Sequence, residues 1–238
     1  MARVTKSAEV RQDELLDIAE RMFMERGYDT TPVQAIIDAA GIAKGTFYHH
    51  YPSKSALLDG VLGRMTERIM GGIQMVLASP GLDAASKFKI AFSRSGQFKT
   101  EHRAVLIQMH RALRSEANAA LYARMIRESA GILLPIITQL IEQGVAEGIF
   151  HTRYPAQSAR IMVEISTAMG NLVGDSILVD GTPRLSVAQL EDEVAAYHDA
   201  VHRLLGAEPG TLELYDTAQL RLWLESAATI PAHAGGTP

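Results

Sequence analysis

The sequence has no cysteine among its 238 residues. Disulfide bonds, thiolate metal sites and cysteine nucleophiles are therefore excluded. It also lacks an unbroken apolar run of about 18 residues, and no apolar signal core follows the N-terminus, where residues 1–14 are MARVTKSAEVRQDE. These absences predict a cytoplasmic protein with no membrane partner.

Catalytic and nucleotide-binding motifs are missing as well. The chain contains neither a Gly-x-Ser-x-Gly turn nor a glycine-rich phosphate loop. His198 and His202 have the i, i+4 spacing of metal ligands, but the residues between them lack the glutamate that a zinc protease helix uses as its base. A solvated or interface face is favoured over a metal site. We therefore expect no catalytic residue, no metal and no cofactor.

Strand-type alternation and internal repeats are also absent, whereas apolar residues recur at helical spacing along most of the chain. The hydrophobic content of 47% is enough to bury a sizeable core. The expected fold class is all-α. A net charge of −4 does not indicate nucleic-acid binding, so such a function would depend on how charge is distributed locally.

One stretch departs from this acidic balance. Residues 31–54 are TPVQAIIDAAGIAKGTFYHHYPSK, and no acidic residue occurs between Asp38 and Asp59. Thr31, followed by Pro32 and Gln34, predicts a capping box at the start of a helix, and Gly41 predicts its end. A second short helix should follow, with basic and aromatic side chains that can lie against phosphates.

Residues 41–54, followed by Leu57, resemble the helix-turn-helix of the TetR family of bacterial regulators. The resemblance covers roughly the first quarter of the chain and is specific, because about a dozen positions agree in register. Ala43 replaces a common capping residue and Ile37 replaces the usual alanine, but neither change removes a group that touches DNA. The upstream positions that match the family's first helix and turn are Leu15, Leu16, Ala19, Met22, Phe23, Gly27, Tyr28 and Thr31.

The resemblance implies a three-helix DNA-binding domain over residues 8–68, with the helix-turn-helix at about 31–51. A long fourth helix should join it to a larger helical domain over residues 69–228 that binds an effector and dimerises. Residues 229–238 are expected to form a disordered tail. Because the family mostly represses, the implied function is a homodimeric repressor of a near-palindromic operator, released by a small, mainly apolar effector. The alternative is an all-α small-molecule enzyme or carrier with a helix-turn-helix-like surface.

Eight residues are candidates for contact with double-stranded DNA. Phe47 and Tyr51, four residues apart, should share the inner face of the second short helix, which directs the others toward a groove. Lys44 and Lys54 are expected to act on phosphates, whereas Thr46 and His49 should contribute to sequence choice. The full set is Thr31, Lys44, Gly45, Thr46, Tyr48, His49, His50 and Lys54.

The larger domain contains methionine and aromatic residues that could line an effector pocket. Methionine suits an adaptable apolar site, and Pro135 should kink the longest helix and leave space beside it. Polar contacts are expected from His110 and Tyr122. The same residues could equally be ordinary core. The candidates are Phe88, Phe92, Met109, His110, Tyr122, Met125, Met162 and Met169.

Two late helices are candidates for the dimer interface. After Ser186, which forms a capping box with Gln189, apolar residues repeat every three and four positions as in a heptad seam. The preceding helix offers further apolar positions for a four-helix interface. The alternative is that the seam packs inside its own subunit. The candidates are Ile161, Ile165, Leu172, Leu190, Val194, Tyr197, Val201 and Leu204.

Overall fold

The computed structural model describes residues 8–178 and 185–229, and within these ranges it contains helices and no strand. The all-α class predicted from the sequence is confirmed for this part of the chain. Most of the tail predicted at residues 229–238 lies outside the described residues. The helices are α1 Ala8–Arg26, α2 Val33–Ala40, α3 Lys44–His50, α4 Lys54–Leu77, α5 Ala84–Glu101, α6 Arg103–Leu113, α7 Ala119–Ala146, α8 Pro155–Leu178, α9 Val187–Leu205 and α10 Thr217–Thr229, with a 3₁₀ turn at Glu116–Asn118.

Contacts between residues divide the chain into two units. The first comprises the described part of Met1–Arg68 together with Ala104–Leu121, and the second comprises Ile69–Arg103 and the described part of Tyr122–Pro238. One division falls inside α4, after Arg68. The segment Ala104–Leu121, which follows α5 and the start of α6 in the chain, groups with the first unit.

The first unit has an apolar core built by α1 to α4. Helix α1 packs against α2, and α2 packs against α3. Phe23 also makes an edge-to-face contact with Tyr28, at 5.2 Å between ring centroids. Burial of these side chains is the main favourable contribution to folding of this unit. The core residues of α1 to α4 with no exposed surface are Leu15, Ala19, Phe23, Ile36, Phe47, Leu57, Leu58 and Val61, and Val105 and Ile107 of α6 are equally buried.

Ion pairs join α1 to α4 at the edge of this core. The guanidinium of Arg64 donates to Asp17 Oδ1 at 2.6 Å and to Glu20 Oε2 at 2.5 Å. Arg68 donates to the other oxygen of Glu20 at 3.3 Å. Because Arg64 and Glu20 are both largely shielded from water, their attraction is screened less than that of a surface pair. The pairing fixes α1 along the amino-terminal half of α4.

The second unit is organised by α10, which contacts α5, α8 and α9. Aromatic rings fill its interior, with Phe88 and Phe150 packed edge to face at 6.0 Å. Glu147, after the end of α7, accepts a hydrogen bond from the Ala84 amide in the first turn of α5. The unit is therefore held together by contacts between residues far apart in sequence.

Helix α7 is the longest helix of the described ranges and is rich in apolar residues. The span Glu116–Ala146 has the length and hydropathy of a membrane-spanning helix, with a mean hydropathy of 1.3 over its most apolar window. Core helices of globular proteins also have these properties, and Ile137, Leu140 and Ile141 are buried in this chain. Within the most apolar 18-residue stretch of this span, only 22% is buried, so α7 leaves much apolar surface uncovered.

Candidate nucleic-acid interface

The turn between α2 and α3 has the geometry that its sequence predicts. Gly41 ends α2 in the left-handed conformation, with φ of 60°, and its N–H donates to the Asp38 carbonyl at 3.1 Å. Glycine is suited to this position because residues with a Cβ rarely adopt positive φ. Ala43 then starts α3 with extended backbone and no side-chain cap. The missing cap that the sequence indicated is confirmed.

Helix α3 separates an inner face from an outer one. Phe47 is completely buried and Tyr51 nearly so, as their spacing predicted. Lys44, Thr46 and His49 are exposed, and Tyr48 keeps 42% of its surface exposed beside Lys44 Nζ, 6.0 Å from the ring centroid. His50 is half-buried. The outer face therefore combines cationic, hydroxyl and aromatic groups, with no acidic side chain in α3.

Gly45 lies on this outer face near the start of α3. A Cβ placed on Gly45 would meet no described atom within 4 Å, and the residue does not have positive φ. Neither packing within the unit nor backbone conformation therefore requires glycine here. Its small size leaves the first turn of α3 open to close approach from outside, as a DNA backbone would need.

Lys54, at the start of α4, is held closer to the protein than the sequence suggested. Its Nζ lies 4.3 Å from the centroid of the Tyr28 ring and donates to the Asp29 carbonyl at 3.3 Å. Burial lowers the pKa of Lys54, and nearby Asp29 partly opposes this effect. Lys54 therefore links the start of α4 to the turn after α1, besides placing a positive charge beside α3.

Thr31 is placed differently from its expected position on the DNA-facing surface. Its side chain is fully buried, and its hydroxyl donates to the Gly27 carbonyl at 2.6 Å. The capping box predicted from Thr31 and Gln34 is wrong, because the N-cap position of α2 is Pro32, which makes no side-chain hydrogen bond, and Gln34 donates to Asp38 instead. Because the Thr31 hydroxyl satisfies a carbonyl at the end of α1, it is not available to a phosphate. Its role is to shape the turn before α2.

These elements match a known family model. Residues 15–61 match the model described as bacterial regulatory proteins, tetR family. Over 193 residues the chain is 28% identical to the HTH-type transcriptional repressor KstR2 of Rhodococcus jostii RHA1, which covers 79% of this chain and 93% of that protein. The amino-terminal domain of this chain is therefore a DNA-binding domain of the TetR family.

Two further comparisons agree with this membership. KstR2 of Mycolicibacterium smegmatis is 42% identical over 67 residues, covering 28% of this chain and 33% of that protein. A solved structure of a TetR-family regulator from Pectobacterium atrosepticum has a TM-score of 0.62 and 19% identity, covering 87% of this chain and 100% of that one. The structural match shows a shared fold, and these relatives are transcriptional regulators rather than enzymes.

The residues suggested for an effector pocket are divided between the two units of the chain. Met109 and His110 belong to the first unit, whereas the other six belong to the second. Phe88 and Met162 are fully buried and Met169 nearly so, while Phe92, Tyr122 and Met125 are half-buried. The Tyr122 hydroxyl donates to Asn171 Oδ1 on α8. The buried members already contribute to the core of this chain.

The heptad seam of α9 packs inside its own chain, which was the alternative reading of the pattern. The seam residues Leu190, Val194, Tyr197 and Val201 are at most 6% exposed. The Tyr197 hydroxyl is paired with Ser166 Oγ at 2.7 Å, and burial raises the pKa of Tyr197 to about 12. A side chain covered by its own subunit has no surface to offer a partner. Ile161, with 48% of its surface exposed, and the half-buried Ile165, Leu172 and Leu204 keep surface that a partner could cover.

His198 and His202 act as hydrogen-bond acceptors toward the segment after α9. Nε2 of His202 accepts from the Leu212 amide at 3.1 Å, and Nε2 of His198 accepts from the amides of Leu214 and Tyr215 at 3.0 and 3.2 Å. Within the described ranges no three histidine, aspartate or glutamate side chains form a metal-binding group. The two histidines therefore hold the loop that follows α9, rather than forming a solvated face.

Sequence reasoning missed two residues that organise the DNA-binding unit. Asn118, in the 3₁₀ turn, is buried and hydrogen-bonded to Ser55 in the first turn of α4. Arg64 joins α4 to α1. No sequence pattern relates Asn118 to Ser55, because they are 63 positions apart. Arg64 could have been suspected only from the excess of acidic residues on α1.

Proposed function

We propose that this TetR-family regulator is a cytoplasmic transcriptional repressor that binds operator DNA with the outer face of α3. The observation that carries the proposal is this exposed face, which presents Lys44, Thr46 and His49 while Phe47 anchors the helix from behind. A recognition helix held in this way can enter the major groove, which is wide enough to admit it. The repressors that resemble the chain support repression over activation.

Lys44→Ala tests the phosphate part of this interface. We expect weaker binding to every duplex sequence alike, because a lysine near a phosphate contributes charge without reading bases. The slope of log affinity against log salt should flatten by about one unit. Titrations of labelled duplex at several salt concentrations measure both quantities.

The matched control for that titration is Lys89→Ala, which removes an exposed lysine from α5 in the second unit. It should leave the affinity and the salt slope unchanged. An unchanged slope for Lys44→Ala, or a change in sequence preference instead, would show that Lys44 does not contact a phosphate.

The regulator should act as a homodimer on a near-palindromic operator. A single helix-turn-helix reads only one half-site, and two half-sites lie about one turn of DNA, ~34 Å, apart. The surface that supports this proposal is the exposed face of α8 around Ile161, rather than the buried seam of α9. Burying such apolar surface between two chains would favour association.

Selection of duplexes from a randomised pool tests the operator proposal. We expect two inverted half-sites with centres about 10 base pairs apart, or a multiple of that spacing. His49→Ala should relax the choice at one position of each half-site by about 1–3 kcal/mol, whereas His151→Ala should not, because His151 lies outside the DNA-binding unit. Selected sites without inverted symmetry would contradict the dimeric mode of binding.

A small, mainly apolar effector is proposed to regulate this binding. Support comes from α7, whose apolar window is only 22% buried and which carries the half-buried Met125. Apolar surface of this kind gains free energy when a ligand covers it. The effector need only bind the state unable to bind DNA a few kcal/mol more tightly to change operator occupancy.

A further inference from the structure

The segment Ala104–Leu121 belongs to the first unit although the chain enters it from the second unit and returns to the second unit afterwards. It contains most of α6 and the 3₁₀ turn Glu116–Asn118. Its grouping with the first unit requires specific attachment to α1–α4. One such attachment is the hydrogen bond between the side chains of Asn118 and Ser55.

Asn118 is a buried polar residue whose side chain is fully engaged. Only 4% of its surface is exposed. Its Oδ1 accepts from the Ser55 hydroxyl at 2.9 Å, and its Nδ2 donates to the Ala112 carbonyl at 3.0 Å and to Ser115 Oγ at 3.3 Å. Two of these bonds stiffen the corner after α6, while the third reaches the first turn of α4. A buried amide with these partners is costly to remove, because the partners are left unsatisfied.

The same part of α4 is held from a second direction. Lys54, next to Ser55, lies over the Tyr28 ring and donates to the Asp29 carbonyl. Asn118 lies beside the Tyr28 side chain, because it partly opposes the rise in the pKa of Tyr28 that burial causes. The first two residues of α4 are therefore fixed by one connected set of side chains, Asn118, Tyr28, Lys54 and Ser55.

Fixing the start of α4 also constrains α3. Helix α3 ends at His50 and α4 begins at Lys54, and Tyr51 in the short connection is almost completely buried. So short a connection cannot absorb a shift of α4 without moving the end of α3. The position of the recognition helix therefore depends on where α4 begins.

We propose that Asn118 is a positioning residue for DNA binding, which holds the start of α4 through Ser55 and thereby sets the orientation of α3. This inference rests on the proposed operator-binding function. Asn118 does not contact DNA itself, since it is buried and its side-chain atoms are already paired. Its effect on affinity is passed on through the bond to Ser55.

Asn118→Ala and Ser55→Ala, alone and combined, test this role on the duplex that wild-type protein selects from a randomised pool. We expect each single variant to lower operator affinity about tenfold, which corresponds to about 1.4 kcal/mol. The slope against salt should stay at the wild-type value, because no phosphate contact is lost. The double variant should be no weaker than Asn118→Ala, because both changes remove the same bond. The exposed Ser93→Ala in α5 is the control and should bind like wild type.

Amide hydrogen exchange on the free protein provides a second measurement that does not depend on DNA. Asn118→Ala and Ser55→Ala should both speed exchange in the first turns of α4 and in α3, with α8 and α9 unchanged. This measurement decides the positioning role even if wild-type protein selects no operator, which would overturn the proposed function alone. Ser55→Ala keeps the test valid if Asn118→Ala fails to fold. Unchanged exchange in α3, unchanged affinity, or additive losses in the double variant would each overturn the proposal.

Discussion

Gly144→Ala should destabilise the second unit by about 2–3 kcal/mol, although alanine is normally the better helix former. A Cβ on Gly144 would lie 2.1 Å from Cδ2 and 2.4 Å from Cε2 of Phe150. The Phe150 ring cannot move aside easily, because it is 1% exposed and packs against Phe88. Its backbone is also anchored, since the amides of Ile149 and Phe150 both donate to the Gly144 carbonyl. Urea unfolding followed by circular dichroism measures the loss.

Gly131→Ala is the matched control in the same helix. A Cβ at Gly131 would meet no described atom within 4 Å, so only the helix propensity changes. This variant should be more stable than wild type by about 1 kcal/mol. Equal effects of the two substitutions would show that Phe150 does not pack against Gly144 in solution. Phe150→Leu introduced together with Gly144→Ala should recover part of the loss, because the smaller side chain leaves room for the methyl group.

Acidification should loosen the segment between α9 and α10, because His198 must be neutral to accept hydrogen bonds at Nε2. The amides of Leu214 and Tyr215 both donate to this atom, at 3.0 and 3.2 Å. A protonated imidazole has no acceptor, so charging His198 leaves both amides without this partner. We expect a loss of about 1–3 kcal/mol in the free energy of unfolding once His198 is charged.

The pKa of His198 sets the pH range in which this loss appears. Burial lowers the pKa of His198, the neighbouring His202 lowers it further, and Glu213 partly opposes them. The folded state therefore binds a proton less readily than the unfolded state, whose histidine pKa is about 6.5. The stabilising contribution is complete above that value and is lost as the pH falls through the lowered folded-state pKa. Thermal unfolding should show a falling midpoint from about pH 7 to about pH 5.

His198→Gln tests the assignment of this pH dependence. The glutamine carbonyl can accept from the same amides and does not titrate, so the fall in the unfolding midpoint should become smaller. His151→Gln removes an exposed histidine from the same unit and should keep the wild-type pH profile. A profile that His198→Gln leaves unchanged would assign the acid sensitivity to other groups.

Much of the local structure of this regulator was predictable from short stretches of sequence. Gly41 adopts positive φ where the helix that begins near Thr31 was expected to end. Ser186 and Gln189 form the capping box that their spacing indicated. Phe47 and Tyr51 lie on the inner side of α3 as their four-residue separation required. These features depend on hydrogen bonds and backbone conformations that involve residues within about five positions of one another, so the sequence alone determined them.

Only the tertiary structure decided which of two equally good roles each ambiguous residue takes. The α9 pattern fits a partner helix or its own core, and Val201 is completely buried in a chain whose α8 and α10 both contact α9. Thr31 was expected to cap α2 and to face DNA, whereas its buried hydroxyl donates to the Gly27 carbonyl. Asn118 carries no local signal, yet it meets Ser55 across 63 positions. In each case burial and hydrogen bonding depend on groups that folding brings together from distant parts of the chain. A sequence pattern indicates which face of a helix is apolar, but it does not indicate what covers that face.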